Sequence, residues 1–291
     1  MKICALTMVY RDYWALSRWY AHHGHELGSE NLIVVAHGED PNIAKICPNA
    51  KIFTIPRDDL SGFDRVRGKL LNDMTEELLK AYDWVIRTDA DELICYDPER
   101  YGGLRAALGQ LNRDEVPVVW AMGFDVVETR GSAPITPGPV LGQRRDVAFS
   151  GHYSKAVAVS QPIPMRLHGA WVGQEVLDEF PYLMPPGLYL AHLKFANTIA
   201  LAEANKVRRS VAEATGTGMP GAAWAEPDIH VLEMLGEFAD KRLLSWDQAE
   251  AKAYGKLQTS PRRDERFGVV RSRRLRLKFR TQLPDRFAAQ G

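Results

Sequence analysis

Short apolar runs alternate with helical periodicities through the first half of the chain. The runs of strand length are residues 3–9, 31–36, 51–55 and 84–88. Between the first two runs, Asp12 can cap a helix that continues to about His23 and that Gly24 can end. Strands that alternate with helices in this way are typical of layered α/β proteins. The pattern therefore predicts an α/β fold with a mainly parallel central sheet flanked by helices.

The clearest helix lies between the third and fourth runs. Its apolar residues recur at intervals of three and four, which places them on one face: Phe63, Val66, Leu70, Met74 and Leu78. Ser61, followed by Asp64, resembles a capping box at its start. Arg65 and Lys69 fall together on another face, because residues four apart are neighbours on a helix. We expect this pair either to point at a phosphate group of a ligand or to be solvated.

The second half of the chain has the same elements in a looser order. Strands are predicted over residues 116–124, 155–159 and 188–191, and helices over residues 198–215, 227–239 and 245–257. The segment TGTGMPG, residues 215–221, separates the first of these helices from the second. We therefore predict a domain over residues 1–215 and a helical and basic extension over residues 216–291.

Composition narrows the class of protein only a little. The 291 residues include 37 Lys and Arg against 37 Asp and Glu, so the net charge favours no particular partner. Three cysteines, Cys4, Cys47 and Cys95, are odd in number and widely spaced, which favours a reduced, cytoplasmic setting. The apolar run at the N-terminus is too short to span a bilayer and reads as a buried strand.

Three carboxylates follow the fourth predicted strand almost at once. The apolar residues 84–86 lead into Asp89, Asp91 and Glu92. Like charges this close repel one another, and ligands of open α/β sheets bind outside the carboxyl ends of the strands. A hard cation such as Mg²⁺ or Mn²⁺, held by two carboxylates and a substrate diphosphate, would relieve the repulsion. The alternative is a solvated acidic turn or a helix cap.

The same stretch, DWVIRTDADELI, resembles the Asp-X-Asp segment of family 2-like glycosyltransferases of the GT-A type. Further segments that resemble this family follow in the same order along the chain: SRWYAHHGHELGSENLIVV, HYSKAVAV, RLHGA and LYLAHLKFANTIALAEANK. The resemblance covers about residues 1–215. It implies a GT-A-like nucleotide-sugar-binding fold and transfer of a sugar from a nucleoside-diphosphate donor to a hydroxyl group, with inversion, in polysaccharide or surface-glycan synthesis.

Some positions depart from the family pattern. Leu93 stands where Phe is usual, and Leu193 replaces a usual Tyr. Arg11-Asp12 occupies the place of Asn-Glu after the first strand, and His37 that of an Asp after the second. The departures at Arg11-Asp12 and at His37 concern the positions that the resemblance connects with recognition of the nucleotide base.

The resemblance also implies roles for individual residues. Asp91 and His192 would hold Mn²⁺ or Mg²⁺, Asp89 would hold the metal or the ribose of the donor, and Glu92 would support them. Lys194 would contact the donor phosphates, and Lys155 the phosphates or the acceptor. His168 is a further candidate for the metal-binding histidine, and the alternative for His192 is a structural hydrogen bond at the end of a strand. A hydroxyl acceptor needs a general base. The candidates for this base are Glu175, Asp178 and Asp125.

The C-terminal segment is a separate feature. From Arg262 to Arg286 it carries ten Arg and Lys against three acids. Residues 274–279 alternate basic with apolar side chains, which is compatible with an edge strand and equally with a helix. Such a segment can bind anionic lipid at the inner face of a membrane, where a lipid-linked or glycan acceptor would lie. The alternative is a solvated or packed tail. Aromatic residues are too sparse there for nucleic-acid binding.

Two other functions share some of these features. A HAD-like phosphatase also carries paired Asp residues after a strand, although there the motif opens the first strand of the fold. A non-catalytic sugar- or nucleotide-binding protein could retain the same fold without turnover. Slow hydrolysis of a nucleotide-sugar donor would distinguish an enzyme from such a binder.

Overall fold

The computed structural model describes residues 1–113, 115–173, 183–213 and 226–291. Its N-terminal half builds a parallel sheet in the order β4-β1-β2-β3, formed by the strands Trp84–Arg87, Ile3–Val9, Leu32–His37 and Lys51–Ile55. The connecting helices are α1, Tyr13–Leu27; α2, Pro41–Ile46; and α3, Phe63–Leu79. Strands β1, β2 and β4 are wholly buried, as their continuous apolar runs indicate.

Two helix ends in the N-terminal half differ from the prediction. Helix α1 is capped by Asp12, whose carboxylate accepts a hydrogen bond from Ala15 N, but it continues through Gly24 to Leu27, with Gly28 as its C-cap. Gly28 has φ +89°, a left-handed conformation that glycine adopts without strain. Ser61 does not cap α3, because Gly62 precedes the helix and makes no side-chain capping bond.

The sheet becomes antiparallel beyond β4. Strand β4 pairs with β8 (Lys155–Val159), and β8 pairs with β6 (Val118–Val126). Two further strands branch from β6. Strand β11 (Leu188–His192) pairs in parallel with β6, and β5 (Glu92–Tyr96) pairs with β11 in antiparallel direction. The predicted α/β class is confirmed, with a large central sheet that is mixed and flanked by helices. Strand β5 was not predicted, because its apolar residues directly follow the carboxylates.

The C-terminal region joins this same sheet. Strand β7 (Asp146–Phe149) pairs with β15 (Phe279–Gln282), and β15 pairs with β12 (Arg242–Leu243). Side chains from this region, including Trp246 and Phe287, lie in the main hydrophobic core. Residues 274–278, for which an edge strand and a helix were both left open, form neither, and strand β15 begins at Phe279.

The remaining elements cover the sheet or form a smaller one. The helices are α4, Leu104–Gly109; α5, Val140–Gln143; α6, Thr198–Ala212; α7, Pro227–Asp240; and α8, Trp246–Leu257. The smaller sheet contains β9, Met165–Arg166; β10, Trp171–Gly173; β13, Arg262–Asp264; and β14, Val269–Arg271. The proposed boundary near residue 215 and the segment 215–221 lie outside the described residues.

No helix within the described ranges combines the length and apolar character needed to cross a bilayer.

Candidate functional site

A cleft of about 390 Å³ opens at the carboxyl ends of the parallel strands. Strands β1 and β4 are paired in parallel, so the residues that follow each of them reach the same edge of the sheet. The turn that connects β4 to β5 brings Asp89, Ala90 and Asp91 to the cleft, and Glu92 begins β5 at its floor. The acidic segment therefore lies where the sequence predicted it, at a strand end beside a cleft.

Asp89 is paired with His168. The imidazole Nδ1 lies 2.9 Å from Asp89 Oδ2, and Nε2 lies 3.7 Å from Asp64 Oδ1. The Asp89 carboxylate, aided by Asp64 and opposed by burial, raises the pKa of His168 to about 9. Burial would raise the pKa of Asp89, but His168 and Lys155 outweigh it and hold that pKa well below the usual value. The pair is therefore an ion pair at neutral pH.

The backbone that carries His168 is unusual. Leu167 and His168 have φ of +47° and +56°, and Gly169 has φ +88°. A Cβ atom at Gly169 would lie 2.2 Å from the carbonyl oxygen of Ala156, so only glycine fits there. Left-handed conformations cost a non-glycine residue roughly 1–2 kcal/mol. Strain of this kind is concentrated at functional sites.

Asp91 faces a second histidine. His192 Nε2 lies 3.5 Å from Asp91 Oδ2, while Nδ1 donates to Asp125 Oδ1 at 2.7 Å. Tyr153 stacks on the imidazole ring with 3.6 Å between ring centroids. Burial opposes a charge on this ring, yet the hydrogen bonds to Asp125 and Asp91 raise the pKa of His192 to about 9. In parallel register β6 and β11 place His192 directly opposite Asp125.

Glu92 and Lys155 form a buried ion pair beneath the turn. Lys155 Nζ donates to Glu92 Oε1 at 2.7 Å, and the two side chains are only 1% (Glu92) and 4% (Lys155) exposed. The other carboxylate oxygen of Glu92 accepts a hydrogen bond from the backbone N–H of Asp89 at 3.1 Å. Burial raises the pKa of Glu92, and Lys155 opposes that effect. The ion pair thus fixes the turn that carries Asp89.

Further cations line the cleft. Lys194, Arg208 and Arg274 lie on the side of Asp91, where Arg208 Nη2 is 4.0 Å from Asp91 Oδ2. Burial and the nearby Arg208 lower the pKa of Lys194 to about 8. A cleft with this many cations beside its carboxylates can bind a polyanion such as a diphosphate.

The structure brings most of the predicted site residues together. Seven of them line the cleft: Asp89, Asp91, Glu92, Lys155, His168, His192 and Lys194. Asp125 lies behind His192 and accepts a hydrogen bond from its ring. Lys155 is turned toward Glu92 instead of toward the space where phosphates would lie. Glu175 and Asp178 lie outside the described residues.

Arg65 and Lys69 do not line the cleft. Lys69 pairs on the surface with Asp73 at 2.7 Å, and Arg65 is exposed. Arg67 lines the cleft instead. Arg67 is two residues away from both Arg65 and Lys69 along α3. Residues two apart on a helix point to nearly opposite faces. Of the two alternatives given for Arg65 and Lys69, their positions on α3 agree with the solvated one as far as this cleft is concerned.

Sequence reasoning also missed two acids. Asp12, predicted as a helix cap and noted as a departure from the family pattern but not as a site residue, lines the cleft, where burial and the repulsion of Asp91, against Arg208, raise its pKa to about 6. Asp64 reaches His168 from α3. Neither residue belongs to the acidic run, so no local pattern pointed to them.

The side chains in the cleft supply some of the ligands that a hard divalent cation needs. Within the described ranges, no group of three or more His, Cys, Asp or Glu side chains is arranged to hold a metal ion. Asp91 Oδ2 and His192 Nε2 nevertheless face each other, and the hydrogen bond from His192 Nδ1 to Asp125 is the support that metal-binding histidines usually have. Asp91 and His192 are therefore the donors that a cation would meet first, with Asp89 beside them.

Comparisons with known proteins add little to the chemistry. No family model matches the chain, and no curated protein matches it. Among the solved structures similar to it is 4-diphosphocytidyl-2C-methyl-D-erythritol synthase, with 16% sequence identity over 46% of this chain and a TM-score of 0.28. Mannose-1-phosphate geranyltransferase from Thermus thermophilus matches 99% of this chain with 12% identity and a TM-score of 0.32. CMP:2-keto-3-deoxy-manno-octonic acid synthetase complexed with CTP matches 80% of this chain with 14% identity and a TM-score of 0.28.

This chain spans 64%, 77% and 86% of those three structures, in the same order. TM-scores this low carry no argument about the site, whose chemistry rests on its own residues.

Proposed function

We propose that this protein is a nucleotide-sugar-dependent glycosyltransferase of the GT-A type, in which Asp91 and His192, with Asp89, bind Mn²⁺ or Mg²⁺ together with the donor diphosphate. The observation that carries the proposal is the arrangement Asp91–His192–Asp125 at a strand end beside a cationic cleft. The ordered segments that resemble family 2-like glycosyltransferases support the same function.

A bound divalent cation would supply Lewis-acid stabilisation of the leaving diphosphate. Lys194 and Arg208 are placed to bind phosphate oxygens on the side of Asp91, and Arg274 extends that side. Asp125 holds His192 with its proton on Nδ1, which leaves Nε2 directed at Asp91. We therefore propose a positioning role for Asp125, and Glu175 or Asp178 as the base that accepts the proton of the acceptor hydroxyl.

The acceptor would be a glycan or a lipid-linked saccharide. The basic C-terminal segment supports contact with an anionic membrane surface, although several of its arginines pair within the protein, as Arg286 does with Asp97 at 2.8 Å. A nucleic-acid partner has no support.

Asp91→Asn tests the function. The wild type should be stabilised against thermal unfolding by a nucleoside diphosphate with Mn²⁺, by about 2.7 kcal/mol at a ligand concentration about 100 times Kd. In Asp91→Asn the Mn²⁺-dependent part of this binding should weaken by about 100-fold, because one carboxylate donor is lost. Asp73→Asn, which removes an exposed carboxylate of α3, is the matched control. Unchanged Mn²⁺-dependent binding in Asp91→Asn would show that the metal assignment is wrong.

Turnover separates the enzyme from its two alternatives. With Mn²⁺ present, a glycosyltransferase should hydrolyse its nucleotide-sugar donor slowly to the free sugar and the nucleoside diphosphate. A pure binder would be stabilised by the donor without cleaving it. A HAD-like phosphatase would release inorganic phosphate from simple phosphate esters and leave the sugar-phosphate bond of the donor intact.

A further inference from the structure

A second cavity, of about 720 Å³, lies beyond the carboxyl end of β6. Residues 127–132, which follow this strand, line one side of it, and residues of α7 and β15 line another. Strands β6 and β11 are paired in parallel, with His192 at the end of β11 opposite Asp125. The second cavity and the cleft with Asp91 therefore lie at the same edge of the sheet, where α/β proteins bind their ligands.

The backbone brings the second cavity close to the proposed site. The N–H group of Glu128, which lines the cavity, donates to the carbonyl oxygen of Phe195 at 2.8 Å, and Phe195 directly follows Lys194. Glu128 is also only three residues beyond Asp125, so the Cα atoms of these two residues are no more than about 11 Å apart. A single extended substrate can therefore occupy both the cleft and the second cavity.

Two carboxylates of the second cavity are held in fixed positions. The two oxygens of Glu128 accept hydrogen bonds from Arg144 Nη2 at 3.1 Å and from the backbone N–H of Thr198 at 2.6 Å. Asp146 accepts one from the hydroxyl group of Thr129 at 3.0 Å. Both carboxylate side chains remain partly exposed, at 20% (Glu128) and 23% (Asp146), and a carboxylate oxygen can accept more than one hydrogen bond. A ligand can therefore still donate to them.

Arg280 forms a polar pair with Asp146. Its Nη1 lies 4.0 Å from Asp146 Oδ1, which is an ion-pair distance but is too long for a hydrogen bond. The guanidinium lies over the ring of Phe238, with 5.5 Å between Cζ and the ring centroid, and Nε is buried without a hydrogen-bond partner in the part of the chain that the structure describes. A ligand hydroxyl can accept from the guanidinium and donate to the carboxylate. The pair thus suits a group that is donor and acceptor at once.

The charges of the second cavity favour a neutral ligand. Within the described ranges, its charged lining residues are two acids and two arginines: Glu128, Asp146, Arg130 and Arg280. The carboxylates would repel a phosphate, and the arginines would repel a metal ion. The hydroxyl groups of Thr129 and Ser132 and the apolar side chain of Leu235 belong to the same lining. A saccharide, which is neutral, rich in hydroxyl groups and partly apolar, fits such a surface.

We propose that the second cavity is an acceptor subsite that holds a neutral sugar unit of an oligosaccharide, away from the hydroxyl group that receives the transferred sugar. Glu128, Asp146 and Arg280 bind the hydroxyl groups of that sugar unit. This inference rests on the proposed function, which places transfer beside Asp91. It deepens that function, because it makes the acceptor a preformed saccharide chain instead of a single sugar.

The test blocks the second cavity and measures saccharide binding without donor or metal ion. The probes are neutral trisaccharides of glucose, N-acetylglucosamine, mannose and galactose, titrated by calorimetry at millimolar concentrations. At least one of them should bind to the wild type. Ala239→Trp places a large side chain at an exposed position of the lining and should weaken this binding at least about tenfold, because the blocked sugar unit loses several hydrogen bonds.

Ala251→Trp is the matched control, since Ala251 is exposed on α8 and does not line the second cavity. It should bind the same trisaccharide as the wild type does. The subsite would be overturned if no trisaccharide bound to the wild type, or if Ala239→Trp bound it as tightly as Ala251→Trp does.

A second variant tests the polar contacts of the cavity. Arg280→Gln removes the guanidinium and should weaken binding of the same trisaccharide by about tenfold, as expected for loss of a hydrogen bond to a charged group. Arg266→Gln, which removes an exposed arginine outside the cavity, should match the wild type. Equal binding by Arg280→Gln and Arg266→Gln would contradict the role of Arg280. Ala239→Trp removes only a methyl group, so the test of the cavity stands even if Arg280→Gln folds poorly.

The outcomes for the subsite and for the proposed function are distinct. Slow hydrolysis of a nucleotide-sugar donor needs no acceptor, so its rate should be the same in Ala239→Trp as in the wild type. If the donor were hydrolysed but no trisaccharide bound, the proposed function would stand and the subsite would fail. If a trisaccharide bound at the cavity but no nucleoside diphosphate bound with Mn²⁺, the acceptor role would be overturned together with the proposed function.

Discussion

Two histidine–carboxylate pairs face the cleft, and they are built in different ways. His192 ends strand β11, is 3% exposed and is hydrogen-bonded to Asp125 while Tyr153 covers its ring. His168 is 41% exposed and is carried by a left-handed backbone opposite Asp89. The two pairs have the same charges. They differ in whether regular sheet structure or strained backbone sets the position of the histidine.

The difference assigns different roles to the two sides of the acidic turn. His192 lies opposite Glu92 on one neighbouring strand and opposite Asp125 on the other, so two strand pairings fix it. His168 is held by its contacts to Asp89 and Asp64 against backbone strain. We infer that the pair of Asp91 and His192 is preorganised, whereas His168 can move away from Asp89 when a ligand replaces its charge.

The largest expected effect concerns the support of the Asp89 side. Lys155→Met leaves Glu92 as a buried carboxylate without its partner, which should destabilise the protein by about 3–5 kcal/mol. Urea unfolding measures the change. The double variant Glu92→Gln/Lys155→Met should recover most of the loss, because the uncompensated charge is gone. Lys80→Met, which breaks an exposed pair with Glu77, should leave the stability close to that of the wild type, because solvent screens that pair. If Lys155→Met lost no more stability than Lys80→Met, the buried ion pair would be contradicted.

The pH dependence of stability should separate the two histidines. The pKa of His192 is about 9 in the folded protein, above the value of about 6.5 expected when unfolded, so the folded state binds the proton more tightly. The protonated His192 therefore adds to the free energy of unfolding. This stabilisation is fully present below about pH 6.5 and is lost as the pH rises to about 9. Metal-free wild type should therefore lose about 2–3 kcal/mol more than His192→Gln across that window.

His168 is the matched comparison. Its pKa is raised to about 9 as well, but its side chain is more than a third exposed, and solvent screens the pair. The difference between wild type and His168→Gln over the same window should be about 1 kcal/mol or less. Equal pH dependence for the two variants would remove the contrast between a buried and an exposed pair. Guanidinium unfolding in metal-free buffers from about pH 6 to about pH 9.5 gives both values.

A smaller effect distinguishes two roles for Asp125. If Asp125 orients His192, Asp125→Asn should weaken Mn²⁺ binding in the presence of a nucleoside diphosphate by about 10–100-fold. If Asp125 were instead the base for the acceptor, turnover would fall while the affinity for Mn²⁺ stayed the same. Calorimetric titration of Mn²⁺ decides between the two, and Asp146→Asn, on the neighbouring strand β7, serves as the control.

The sequence predicted the parts of the site that local patterns encode. Strands β1, β3 and β8 have the predicted bounds, because each is an apolar or alternating run with clear ends. The turn with Asp89 and Asp91 follows a buried strand, as the abrupt change from apolar to acidic residues indicated.

The partners of those carboxylates were not predictable in the same way. Asp125 meets His192 only because β6 and β11 pair in register across 67 positions of the chain. His168 reaches Asp89 through a left-handed turn that its neighbours in sequence do not announce. Arg67 was overlooked because the amphipathic pattern of α3 identifies the buried face but does not say which polar face meets a ligand.

The smallest expected effect tests the strain beneath His168. Leu167 has φ +47° and is exposed, so glycine at this position relieves left-handed strain with little loss of packing. After the entropy cost of glycine in the unfolded chain, Leu167→Gly should stabilise the metal-free protein by about 0.5–1 kcal/mol. Leu243→Gly, at an exposed position of β12, should destabilise it by about the same amount. Thermal unfolding of both variants measures the effects. A loss of stability in Leu167→Gly as large as that in Leu243→Gly would mean that the turn is not strained and that His168 is held as firmly as His192.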